Sequence, residues 1–170
     1  MKELRDYIIQ VKNGDEASYR YVIQALQQPL FNYTLKIIRD YQEAEDVVQD
    51  SFLAAYYNIQ KLNDPSNFNS WLYKIAYHKC LQVIKKKKRI IYTDRIPEIK
   101  APKCEMDINE LFTDLKPAEH SLLLLRVQGF TFDEISHILR ITPSASRKRY
   151  ERLKSKLKMQ YENERRHDVR

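Results

Sequence analysis

The sequence predicts an all-α protein, and three observations carry that reading. Only two glycines and six prolines occur in 170 residues, which suits helices with short connections. Apolar residues recur at helical spacing in most segments. Alternation at a two-residue period, the mark of a half-buried strand, is almost absent. A hydrophobic content of 43% supplies a core and argues against wholesale disorder.

Taken in order, residues 2–12 read as a short amphipathic helix that Gly14 and Asp15 break. Asp15 or Ser18 can cap the next helix, which carries Tyr19, Val22, Ile23 and Leu26. Pro29 is expected to interrupt it, with a further helix holding Leu30, Tyr33, Leu35, Ile37 and Ile38. Over residues 40–59, Val48, Phe52, Ala55 and Ile59 repeat on one face, so that face is core. Asp40, Glu43, Glu45, Asp46 and Asp50 crowd the start of this helix. Acids there complement the positive end of the helix dipole. Five exceed what capping requires, so an acidic docking face for a basic protein surface is the other reading. Charge alone does not separate the two.

Residues 60–70 form a polar loop, and a helix is expected from Trp71 to Arg89. Leu72, Ala76, Cys80 and Val83 make its inner stripe. Trp71, Tyr73, Tyr77 and His78 cannot all share that stripe. Some of these rings must face solvent or a second core surface, and rings beside a basic run can stack on unpaired bases. Lys85–Arg89 is an unbroken basic run, expected to fray without an anionic partner. Residues 90–107, with Pro97 and Pro102, show no clean periodicity and read as a flexible linker.

A second domain is expected over residues 108–160. Pro117 opens a helix that Gly129 ends. Thr131 and Glu134 form a capping box, and Ile135, Ile138 and Leu139 follow at helical spacing. Thr142 and Pro143 start the last helix, with an apolar stripe of Tyr150, Leu153 and Leu157. Its other faces carry Arg147, Lys148, Arg149, Arg152, Lys154, Lys156 and Lys158 against the single acid Glu151. Helix, short turn and basic second helix is the helix-turn-helix plan, whose second helix enters the major groove. Residues 161–170 read as a polar tail.

The net charge of +7 is concentrated: residues 85–103 carry +6 and residues 132–158 carry +5. Two cationic blocks are the footprint of phosphate binding. No long apolar span, signal peptide or lipidation motif accompanies them, so membrane insertion is not expected. Cys80 and Cys104 lie far apart, and a reducing cytoplasm is the plain reading. No Gly-rich phosphate loop, metal-ligand spacing or nucleophile–base pattern occurs. The chain is therefore not expected to be an enzyme, or to carry a cofactor or metal.

Three stretches together resemble the extracytoplasmic-function sigma factors: AEDVVQDSFLAAY, FNSWLYKIAYHKCLQVIKKKKR, and LKPAEHSLLLLRVQGFTFDEISHILRITPSASRKRYERLKSKL. The resemblance covers roughly residues 1–158. It implies a region 2 domain over residues 1–89 and a region 4 helix-turn-helix over 108–160. The implied activity is binding core RNA polymerase and directing promoter-specific initiation. Glu45, Asp46, Gln49, Asp50, Phe52 and Leu53 match the helix that docks on the clamp coiled coil of the largest polymerase subunit. Asn67, Phe68, Asn69, Trp71, Lys74 and His78 match the reader of the −10 element, with Lys85, Lys86, Lys87, Lys88 and Arg89 beside them as phosphate contacts. Ser144, Arg147, Lys148, Arg149 and Arg152 match the recognition helix at the −35 element. Promoter DNA and an anti-sigma factor are the further partners implied, for a chain monomeric when free of them.

The chain departs from the family at several positions. His78 stands where Asn is usual, Gln82 where Asp is, and Ser136 where Ala is. Ser144, Ala145 and Ser146 replace a usual Gly-Thr-Val, so Ser146 places a hydroxyl at a normally apolar position. A dimeric helix-turn-helix repressor or activator, and a protein–protein adaptor, are the alternative classes. The first predicts tight palindromic DNA binding without polymerase, the second no salt-dependent DNA affinity.

Overall fold

The computed structural model describes residues 3–93 and 115–167. The chain divides into two compact units, Met1–Arg89 and Ile90–Arg170. All regular structure among the described residues is helical. The linker expected over 90–107, the domain start at 108 and Cys104 lie largely or wholly outside the described residues.

In the first unit, α1 spans Leu4–Lys12 and buries Ile8 and Val11. Gly14, at φ 99°, lets the chain reverse. Ser18 caps nothing; its Oγ lies 2.7 Å from both Gln10 Oε1 and Asp15 Oδ2 and so ties the turn to α1.

Helix α2 runs unbroken from Tyr19 to Ile38, straight through Pro29. The expected interruption does not occur. A proline inside a helix costs roughly 3 kcal/mol. Leu26, Leu30 and Tyr33 flank it on the buried face, and burial of each such side chain returns about 1.5–3 kcal/mol. Packing against α1 and α3 therefore outweighs the local penalty. Arg39 ends α2 in the left-handed region, φ 58°, its N–H donating to the Leu35 carbonyl at 2.8 Å.

Helix α3, Tyr41–Tyr57, starts on Asp40, whose Oδ1 accepts from the Glu43 N–H at 3.1 Å. Its inner face is Ala44, Val47, Val48, Ser51, Phe52 and Ala55. Tyr19 donates its hydroxyl to the Phe52 carbonyl at 2.7 Å, and burial pushes the Tyr19 pKa up.

Helix α4 spans Phe68–Thr93, three residues earlier and four later than expected. The early start follows from a 3-10 turn at Pro65–Asn67, capped by Asp64, which leads directly into the helix. Phe68, Leu72, Tyr73, Ala76, Tyr77 and Cys80 are buried. The rings thus divide. Tyr73 and Tyr77 close a second core surface, with Tyr73 edge-on to Tyr33 at 5.0 Å. Trp71 and His78 stay half-exposed. Burial holds Cys80 as a neutral thiol, its pKa pushed up to about 12. The basic run lies within α4, and Lys87 meets Asp40 at 2.8 Å.

The second unit contains α5 (Pro117–Val127), α6 (Phe132–Leu139) and α7 (Pro143–His167), which pack on one another. Leu122, Leu125, Phe130, Ile135, Ile138 and Leu153 form its core. Gly129, φ 91°, turns the chain after α5. The Thr131–Glu134 box is present, with Glu134 N–H donating to Thr131 Oγ1 at 3.2 Å and Thr131 N–H to Glu134 Oε2 at 2.8 Å. Thr142 Oγ1 accepts from the Ala145 N–H at 3.2 Å and opens α7. That helix continues to His167, so residues 161–167 are helical and no separate tail begins at 161. Good helix formers and a Lys158–Glu162 pair at 3.9 Å extend it.

Candidate docking and nucleic-acid interfaces

The periodicity of α3 sorts its residues into two sets. The apolar set faces α2 and the core. Glu45, Asp46, Gln49, Asp50 and Leu53 all lie on the exposed side, with Leu53 53% exposed. Phe52 does not join them. At 5% exposure its ring is core, so it supports the helix rather than offering a contact. Helical periodicity puts Phe52 on the inner stripe, and its burial agrees with that pattern and not with a docking contact.

The exposed acids are not equivalent. Asp50 accepts from Lys79 of α4 at 3.3 Å. Among the described residues no ion pair engages Glu45 or Asp46. Beside them, Tyr41 is 62% exposed and meets Phe31 edge-on at 5.1 Å. A pocket of about 210 Å³ lies there between α2 and α3, and α2's contribution to this face was not expected. Its signal was present: Gln27, Gln28 and Phe31 lie off the buried stripe of Leu26, Leu30 and Tyr33.

Most of the residues expected to read single-stranded DNA lie along the start of α4, with Trp71, Lys74 and His78 on one side of the helix and Asn69 on the other. Asn67 is exposed, whereas Asn69, Trp71, Lys74 and His78 are half-exposed. Asn69 Oδ1 is buried without a hydrogen-bond partner. His78 donates from Nδ1 to the Lys74 carbonyl at 2.7 Å. Phe68 is 1% exposed, with Trp71 edge-on at 6.0 Å. Its side chain anchors the start of the helix and cannot meet a base. Farther along, Lys85, Lys86, Lys88 and Arg89 are exposed, and Lys87 is turned towards Asp40.

On α7, Ser144, Arg147, Lys148 and Arg152 share the exposed face. Arg149 is half-buried, one turn beyond the fully buried Ser146. Arg147 also lies over the Phe132 ring at 5.4 Å, and Arg126 covers the same ring at 4.6 Å. The second turn of α7 therefore presents Arg147 against the Phe132 ring of α6, with Lys148 and Arg152 exposed beside it. Such a surface suits duplex phosphates and base edges.

Comparison with known proteins fits this geometry. Residues 22–90 match the family model of sigma-70 region 2. The chain is similar to the ECF RNA polymerase sigma factor SigW of Bacillus subtilis, 31% identical over 91 residues, which are 54% of this chain and 49% of SigW. It is also similar to the ECF RNA polymerase sigma factor SigM of the same organism, 23% identical over 152 residues, which are 82% of this chain and 93% of SigM. The matches thus span about half the length of SigW and nearly all of SigM. Among solved structures, the sigma factor RpoE in complex with the anti-sigma factor NepR from Bartonella quintana shares the fold. Its TM-score is 0.70 at 16% identity, covering 83% of this chain and 94% of that one.

Proposed function

We propose that this chain is an extracytoplasmic-function sigma factor that binds core RNA polymerase and directs promoter-specific initiation, a reading supported by the match of residues 22–90 to sigma-70 region 2. The observation that carries the reading is the face of α3. Glu45, Asp46, Gln49, Asp50 and Leu53 stand outward together, on a helix whose other side is fully used by the core. Acids in that number, with an exposed leucine among them, suit a basic partner surface such as the polymerase clamp coiled coil.

Promoter recognition is divided between the units. The start of α4 takes a separated strand. Trp71 offers a stacking surface, and Asn67, Asn69, Lys74 and His78 supply polar contacts. Unpairing a base costs a few kcal/mol, which stacking and a fitted pocket offset. Lys85, Lys86, Lys88 and Arg89 hold phosphates without reading sequence. On duplex DNA, Arg147, Lys148 and Arg152 approach the major groove, where each bidentate arginine–guanine pair gives roughly 1–3 kcal/mol of discrimination. An anti-sigma factor is the partner expected to restrain the free protein in the cytoplasm. Among the described residues no helix is long and apolar enough to cross a membrane.

The test is run-off transcription from a genomic fragment library with purified core enzyme. Transcripts should start at a defined set of sites, and Asp46→Lys should abolish both transcription and co-purification with core. Unchanged core binding by that variant refutes the docking role of α3.

A further inference from the structure

We propose that the pocket between α2 and α3 is a receptor for a single arginine side chain of the docked partner. The inference rests on the reading of α3 as the docking face and adds a specific ligand to it. The pocket is lined by Gln27, Gln28 and Phe31 of α2 and by Tyr41, Glu45 and Gln49 of α3. Its volume of about 210 Å³ falls below the roughly 300–1,000 Å³ usual for small-molecule sites, so one long side chain is the fitting occupant.

The chemistry of the lining selects a cation, and a planar one. Glu45 brings a carboxylate that no ion pair engages among the described residues, whereas Asp40 and Asp50 of the same region are taken by Lys87 and Lys79. Phe31 and Tyr41, edge-on to one another at 5.1 Å, put two aromatic rings in the lining, and a guanidinium stacks favourably on such rings. Gln28 spends its Nε2 on Asn32 at 3.0 Å, which leaves its carbonyl oxygen as an acceptor. Gln27 and Gln49 add two more amide carbonyls. A carboxylate, amide acceptors and aromatic faces match the five donors and flat surface of arginine. Lysine has three donors on a compact head and cannot stack. The pocket shares Glu45 and Gln49 with the outward face of α3, so it lies within reach of an arginine on a partner lying along that face.

The experiment uses the full chain with ring-labelled Phe and Tyr, titrated by NMR with N-acetyl-arginine amide and N-acetyl-lysine amide at matched ionic strength. The Tyr41 and Phe31 ring signals should move saturably with the arginine derivative and much less with the lysine one. Glu45→Gln should weaken that response. In parallel, Glu45→Gln and Tyr41→Ala should each lower affinity for core RNA polymerase about tenfold. Tyr41 is exposed at the first position of α3, so its truncation leaves the core intact. Equal shifts with both derivatives, or none, overturn the proposal. So does an unchanged affinity for core in both variants. Asp46→Lys separates the two ideas. If it leaves core binding intact, the docking reading fails whatever the titration shows. If it abolishes binding while the pocket variants do not, the pocket inference alone fails.

Discussion

Lys87 Nζ stands 2.8 Å from Asp40 Oδ2, while Asp40 Oδ1 accepts from the Glu43 N–H. One carboxylate therefore caps α3 and holds the basic end of α4. The Lys87 hydrogen bond, then that from Glu43, keeps the Asp40 carboxyl below the usual carboxylate range. A depressed folded-state pKa means that the unfolded chain takes up the proton first as pH falls. The stabilisation is complete above the unfolded value of about 3.9 and is lost as pH drops through the folded value. Asp40→Asn should flatten the stability profile in that acid window. Asp40→Ala should be less stable than Asp40→Asn at pH 7, because Asn keeps a cap acceptor. Urea unfolding at stepped pH measures both.

Ser146 is fully buried and its Oγ has no hydrogen-bond partner. A buried unsatisfied hydroxyl costs about 1–3 kcal/mol. Ser146→Ala removes the group without adding volume and should stabilise the second unit by about 1 kcal/mol, a rise of about 4–8 °C for a domain of this size. Differential scanning calorimetry gives the answer; a lower melting temperature would mean the hydroxyl is satisfied in solution.

Arg149 and Arg152 sit three apart on α7 yet differ in exposure. Arg152→Ala should reduce the slope of log affinity against log salt for duplex DNA by about 1, with an unchanged melting temperature. Arg149→Ala should cost about 1 kcal/mol of stability through lost packing of its stem. Fluorescence anisotropy across a salt series, with thermal unfolding alongside, distinguishes them.

Arg140 ends α6 in the left-handed region at φ 55°. A residue with a Cβ pays about 1 kcal/mol for that conformation, and glycine does not. Arg140→Gly should raise the stability of the helix-turn-helix by a similar amount, read by thermal unfolding of the purified protein.

Local signals were the most legible in the sequence. The Thr131–Glu134 box, the Thr142–Pro143 start and the Gly129 stop each depend on neighbours three or four residues away, and each is found where expected. Pro29 misled because its cost is local while the offsetting burial of Leu26, Leu30 and Tyr33 is tertiary. Family position gives Phe52 and Phe68 contact roles, but the core takes up both rings. The ties from Asp50 to Lys79 and from Asp40 to Lys87 join residues 29 and 47 positions apart, and no periodicity reveals such pairs.

Helix α4 begins among the interior rings and carries a row of lysines towards its other end, without a break between. Whatever grips the charged end is therefore also bracing the oily end. A polyanion such as heparin, touching only Lys85, Lys86, Lys88 and Arg89, would register as a later melting around Tyr73, about 18 Å up the same rod.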